Sequence, residues 1–218
     1  MGGRGASYYA NRLVMQLMGN NNRKSIPIDI SQIQDKTLQG IENRIRKFQH
    51  EEAFLFDESG NLVSGVSGGT TSVDVPRAWD SLDGATTTHN HPTQKYGFGG
   101  ALSMDDVKRM ADTQWKEMRA VASGKGEFNY IMRRTSKSDN EGLKRTIAND
   151  IVKLENEILN EYKNAYNEAK RNGKSESNAM RIGAQKGTGI AQAYWKKTLP
   201  QFGFEYITPK KEYDYNGR

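Results

Sequence analysis

The sequence predicts an α+β fold: an α+β or α/β unit that carries a sheet, followed by a helical hairpin. Three observations point there. Residues 37–134 mix short segments of period-two alternation with helical periodicity. That block is about 100 residues long, a common domain size. Residues 141–171 then carry Leu143, Ile147, Ile151, Leu154, Ile158, Tyr162 and Ala165 at steps of three and four, which is a long amphipathic helix rather than a strand.

Taken in order, residues 1–36 form an N-terminal arm, part of it flexible. "SYYANRLVMQLM" suits a short helix, "GNNNRK" breaks it, and "SIPIDI" is extended. "TLQGIENRIRKFQ" places Leu38, Ile41, Ile45 and Phe48 on one helical face. "HEEAFLFD" reads as a strand, "DESGN" as a turn, and "LVSGVSGG" as the returning strand. "TTSVDVP" reads as a third strand ended by Pro76, and "RAWDSLDG" as a short helix or turn. "ATTTHNH" is a Thr-rich strand. "SMDDVKRMADTQWKEMRA" fits a helix with Val107, Met110, Ala111, Gln114 and Met118 near one face. "MRAVAS" and "FNYIMRR" close the unit as strands. Beyond the polar linker "TSKSDNEG", residues 141–218 form the second region. It holds the long helix, a break at "RNGKSES", a helix over about 175–198 ended before Pro200, a short strand in "FGFEYIT", and a tail.

Composition narrows the chemistry. The 218 residues contain no cysteine, which excludes disulfides, thiolate metal sites and cysteine nucleophiles. Mean hydropathy is -0.84. No apolar run approaches the roughly 18 residues of a membrane span, and the N-terminus lacks a signal-peptide core. The chain therefore reads as intracellular. Its net charge of +6 is uneven: residues 1–49 carry +5, residues 50–139 carry -3, and residues 140–218 carry +4. Basic ends suit an acidic partner, nucleic acid included, although alternating acids and bases in the C-terminal helices fit solvated faces better.

The acidic middle holds the candidate chemistry. His89 and His91 are two apart in a strand, so both imidazoles face the same side, as two ligands of one metal ion must. Ser103 and Asp106 stand in Ser-x-x-Asp spacing at a helix start. There a serine caps the helix, fixing where the aspartate points. Glu51 and Glu52 open a strand that can lie beside the histidine strand, and His50 precedes them. Two histidines and an aspartate can hold Zn2+ with a fourth position open to water. Glu52 then serves as acid/base and Ser103 as hydrogen-bond donor to an oxyanion.

Glu, His-x-His-Pro and Ser-x-x-Asp, in that order, resemble the JAMM (JAB1/MPN) metalloprotease motif. "HNHP" together with "EAFLFDESGNLVSGVSGGTTSVDVPRAW" resembles the RadC-like branch and JAB-like domains of phage proteins, and "MGGRGAS" is similar to the start of phage-encoded proteins. The resemblance covers residues 50–134 within the 37–134 unit. It implies a cytidine-deaminase-like sheet with flanking helices, and zinc on His89, His91 and Asp106. It further implies Glu52 as acid/base, Ser103 as oxyanion donor, and hydrolysis of a peptide or isopeptide bond, including ubiquitin-like conjugates, in the cytoplasm of a bacterial host. Glu52 is chosen over Glu51 because it shares the Phe54/Phe56 face. One departure is the eleven residues between His91 and Ser103, a longer loop than the family has, which holds Tyr96 and Phe98. A different class of reading makes the JAB-like unit a non-catalytic scaffold whose helical hairpin binds a partner in a phage structure. Nucleic-acid binding through the basic ends ranks last.

Overall fold

Seven strands form one mixed sheet in the computed structural model, which describes residues 25–70, 72–92, 102–122 and 128–208. The strands are β1 (Ile26–Pro27), β2 (Glu52–Phe56), β3 (Leu62–Ser67), β4 (Thr86–His91), β5 (Glu117–Ala122), β6 (Phe128–Arg134) and β7 (Phe204–Ile207). Their order is β1-β3-β2-β4-β5-β6-β7. Only β4 and β5 run parallel, and every other neighbouring pair is antiparallel. The helices are α1 (Leu38–Ile45), α2 (Met104–Asp112), α3 (Asn140–Arg171) and α4 (Glu176–Thr198). The helix read in "SYYANRLVMQLM", the Tyr96/Phe98 loop and the tail from residue 209 lie outside the described residues. No described helix is long and apolar enough to cross a membrane.

Strand alternation sorts the side chains into two layers. Phe54, Phe56 and Val121 pack with Ile41 and Ile45 of α1, whose first turn is capped by Thr37. Ala53, Leu55, Met118, Ala120 and Met132 face the other way, toward α2, α3 and α4. The hairpin belongs to this second core. Leu143, Ile147, Leu154 and Ile158 of α3 and Trp195 of α4 pack with Val107 and Met110 of α2, while β7 adds the seventh strand beside β6. At the α3/α4 crossing, Gly183 lets the backbones approach: a Cβ there would come 2.9 Å from the Tyr162 carbonyl oxygen.

Two expectations are corrected. "TTSVDVP" is not a strand: residues 72–76 are irregular, and the Gly69 N–H bonds the Ser72 carbonyl, turning the chain back. The physical reason is that Val66 and Ser67 of β3 already pair with β1 on one side and β2 on the other, so no edge is free there. The helix expected through residue 120 stops at Asp112, and Thr113 is extended. Glu117–Ala122 is instead a strand bonded along its whole length to β4 and β6. Met118 fits the helical period only because it faces α2 from the sheet, so it is apolar on either reading.

On the α1 face, a buried polar network ties the layers together. Glu42, 3% exposed, accepts from the Arg119 guanidinium, Asn129 Nδ2 (2.7 Å) and Thr88 Oγ1 (3.3 Å). Arg119 also bonds Glu117, which in turn holds Arg133. Removing one partner of a buried pair strands the other charge. Glu42→Ala is expected to lower unfolding free energy by about 3–5 kcal/mol in chemical denaturation. A loss under 1 kcal/mol would mean that water reaches Arg119.

Candidate metal centre

The alternation of β4 decides which way its polar side chains point. Thr88 and Asn90 turn toward the α1 face. Asn90 accepts the Glu52 N–H (2.7 Å) and donates to the His50 carbonyl (2.9 Å), locking β4 to the start of β2. His89 and His91 turn toward the α2 layer, as the His-x-His spacing requires. Their Nε2 atoms stand 3.0 Å apart, with the rings edge to face.

Asp106 arrives from the first turn of α2. Ser103 caps that helix: its Oγ accepts the Asp106 N–H (3.1 Å), and Asp106 Oδ2 accepts the Ser103 N–H (2.6 Å). This reciprocal capping box fixes the rotamer of the aspartate. Oδ1 is left 3.3 Å from His89 Nε2, and Oδ2 lies 3.7 Å from His91 Nε2. One donor atom from each of His89, His91 and Asp106 falls within 4.8 Å of the others.

The donor set suits a small divalent ion. Zinc takes imidazole nitrogen and carboxylate oxygen at roughly 2.0–2.1 Å, so tetrahedral ligands stand about 3.3 Å from one another. The 3.0 Å between the two imidazole nitrogens and the 3.3 Å from His89 to Oδ1 lie near that edge, while the carboxylate oxygen nearest His91 is Oδ2, at 3.7 Å. The electrostatics favour a negative charge on Asp106. Burial works to raise the Asp106 carboxyl, but His89, His91 and Ser103 outweigh it and hold the group well below the usual carboxylate range. Burial likewise opposes charge on His89, yet Asp106 and Glu51 raise its pKa overall.

The glutamate is where the structure reverses the sequence reading. Ala53 stands opposite His89 and Phe54 opposite Thr88. Counting back by two from Ala53, Glu51 shares the histidine face. Glu52 shares the face of Phe54, Thr88 and α1. Accordingly, the Glu52 carboxylate lies 3.2 Å from His50 Nε2 and 3.5 Å from an Arg44 nitrogen, on the face opposite His89 and His91. Assigning Glu52 as acid/base is therefore corrected: the choice of the Phe54/Phe56 face was the wrong parity. Glu51 is anchored by its N–H to the Gly69 carbonyl (2.7 Å) and by its carbonyl to the Gly68 N–H (2.8 Å). Burial pushes its carboxyl up to about 8. His89 works against that rise and Asp106 adds to it, so the carboxyl is electrostatically coupled to both. His50 stacks on Phe48 and pairs with Glu52, which removes it from the centre.

Ser103 caps α2, as its place at the helix start leads one to expect. Capping uses an oxygen lone pair and leaves its hydroxyl proton to donate. A further supporting contact had no signal in the sequence. The Trp195 indole, 1% exposed, donates to the Leu102 carbonyl (3.2 Å), so α4 pins the residue just before the capping serine. Comparison with protein-family models, curated proteins and solved structures found no match for this chain.

Proposed function

We propose that the chain is a zinc-dependent amide hydrolase of the JAMM type, acting on a peptide or isopeptide bond. The observation that carries this reading is the convergence of His89, His91 and Asp106 donors beside the coupled Glu51 carboxyl. His89 and His91 would hold the ion through Nε2, and Asp106 through Oδ1, since Oδ2 is engaged by the Ser103 N–H. Zinc supplies a Lewis acid that polarises a carbonyl and lowers the pKa of water. Glu51 accepts a proton from the attacking water at its carboxylate and returns it to the departing amine nitrogen. Its burial suits both halves of that cycle, because a carboxyl poised near neutral gives and takes a proton at similar cost. The Ser103 hydroxyl donates to the oxygen that gains charge as the carbonyl is attacked. A protein conjugate, ubiquitin-like or otherwise, fits the motif resemblance as substrate.

Metal analysis joined to a cleavage assay tests the proposal. Purified protein is expected to take up about one zinc per chain. It should cleave an isopeptide-linked reporter, lose that activity to a chelator and regain it with zinc. Protein that takes up no zinc under these conditions would end the hydrolase reading.

The Trp195 contact gives a separate expectation. Trp195→Phe keeps most of the buried ring and removes the indole donor. Groups that orient metal ligands from behind typically contribute 10–100-fold in affinity. Zinc affinity is expected to fall by about tenfold with the circular dichroism spectrum unchanged. An unchanged affinity would show that the capping box alone positions Asp106.

A further inference from the structure

The helical hairpin runs past the metal centre. α3 starts at the far end of the sheet, where the Arg134 guanidinium at the end of β6 bonds the Asn140 side chain. α4 ends near the same place, since the turn after it offers the Phe202 carbonyl to the Asp139 N–H (2.9 Å). On its way there α4 passes the centre. Gln192 Nε2 donates to the Tyr130 hydroxyl (3.3 Å), and Tyr130 stands in register with Ala120 and His89. Trp195 holds Leu102 (3.2 Å) at the start of α2. From Gln192 back to Glu176, the first residue of α4, the helix covers about 24 Å at 1.5 Å per residue. The sheet itself goes only as far as His91, Ala122 and Phe128, about 7 Å beyond the His89 row. On the order of 15 Å of hairpin therefore overhangs the end of the sheet at which His89, His91 and the first turn of α2 lie.

The overhang is held together by its own two helices. The core cluster takes in Leu154 and Ile158 of α3. Further out, Tyr162, Ala165 and Ala169 of α3 are buried, as are Ala179 and Met180 of α4, yet among the described residues none of them belongs to either core cluster. At the tip the Tyr166 hydroxyl donates to Glu176 (2.7 Å), and Lys170 lies 3.2 Å from the same carboxylate. The outer surface is of one sign. Residues 163–186 carry six Lys/Arg and two Glu, a balance of +4, whereas residues 140–162 carry -2. Lys163, Arg171, Lys174 and Lys186 are exposed and have no ion-pair partner among the described residues. A one-signed field of this kind steers a partner of the opposite sign.

We propose that this overhang is a docking arm for an acidic surface of the protein whose amide bond is cut at the His89/His91/Asp106 centre, a step that rests on the hydrolase reading above. Position selects the substrate as the partner, since whatever the arm holds lies beside the end of the sheet that carries the ligands. Chemistry selects a protein over a nucleic acid. Of the arm's two tyrosines, Tyr162 is buried and Tyr166 is tied to Glu176, so neither offers a base a stacking platform. Four exposed cations on a rigid helix pair attract an acidic face and set its orientation.

Two reporters test the arm: an isopeptide-linked peptide, and the same peptide extended through a Gly/Ser linker by a run of glutamates. The variant Lys163→Gln/Arg171→Gln/Lys174→Gln/Lys186→Gln removes the exposed cations of the arm. Lys36→Gln/Lys47→Gln/Lys137→Gln/Lys153→Gln removes the same net charge elsewhere. With zinc-loaded protein, the arm variant is expected to lower kcat/KM on the acidic reporter by about tenfold relative to the bare one. That difference should vanish at about 1 M salt, where charges are screened within roughly 3 Å. The variant matched in charge is expected to show no such difference. An arm variant that treats the two reporters alike, or equal losses in the two variants, would overturn the assignment and leave the metal centre standing. So would a dimer in sedimentation that the arm variant abolishes, which would make the occupant a second copy. Binding of oligodeoxythymidine that the arm variant abolishes would make it a nucleic acid, and would overturn the assignment too. A bare reporter left uncut by zinc-loaded wild type would overturn the hydrolase reading and this one with it.

Discussion

His89→Ala is expected to abolish zinc binding, with the metal content of purified protein falling from about one per chain to near zero. Three protein ligands are the minimum of an open zinc site, so the loss of one leaves two donors and a weak chelate. A fall in affinity of roughly a thousandfold or more is expected, given the 10–16 kcal/mol typical of full structural sites. Asp106→Ala should behave likewise, but it also removes the side-chain half of the capping box. Asp106→Asn controls for that loss, because the amide oxygen still accepts the Ser103 N–H while the negative charge is gone. Zinc retained at wild-type stoichiometry in His89→Ala would sink the ligand assignment.

The same residues predict how zinc stabilisation depends on pH. In the metal-free protein, the raised His89 pKa gives stability fully present below its ordinary value of 6.5 and lost as pH climbs through the higher folded value. The lowered Asp106 pKa gives stability present above 3.8 and lost as pH falls through the lower folded value. Metal-free protein is therefore best held between those two values, where a proton on His89 faces the Asp106 carboxylate. Zinc must displace that proton. The rise in midpoint caused by a fixed zinc excess is expected to be larger at pH 8 than at pH 5.5. Equal shifts at both pH values would mean that His89 is not a ligand.

Much of this centre could be read from the chain, because its parts are local. His89 and His91 share a strand face whatever surrounds them, and Ser103 and Asp106 share one helical turn. The long helices were equally legible, since Leu143 to Ala165 keep their period with no competing pattern. What could not be read was decided by pairing between distant segments. Whether Glu51 or Glu52 faces the histidines depends on the register of β2 against β4, and a shift of one residue exchanges the two. Met118 is apolar on a helix face and on a sheet face alike, so periodicity cannot tell where α2 ends. "TTSVDVP" has strand composition, but the β3 strand it follows is already paired on both sides. The Trp195 bond to Leu102 spans 93 residues and leaves no local trace.

Replacing the neighbouring glutamates one at a time tests the register of β2 against β4. Glu51→Gln is expected to retain zinc and to lower kcat by about 10²–10⁴, the usual contribution of a general acid/base. Glu52→Gln is expected to keep kcat near wild type. Its carboxylate serves Arg44 and His50 on the α1 face, so the cost should appear in stability instead. Metal-free stability separates the two further. Because the Glu51 carboxyl is raised from 4.5 to about 8, the folded chain holds a proton that the unfolded chain releases, and stability is lost as pH rises between those values. Glutamine cannot ionise, so Glu51→Gln should match wild type at pH 4.5 and exceed it above pH 8. The gain should be on the order of 1–3 kcal/mol, after allowing for the part of the residue that water reaches. Added zinc should erase most of that difference, since a cation beside His89 offsets the burial of a charged Glu51. If Glu52→Gln is the inactive variant and Glu51→Gln the active one, the β2/β4 register is displaced by one residue, and the glutamate that faces the metal is the one the sequence alone suggested.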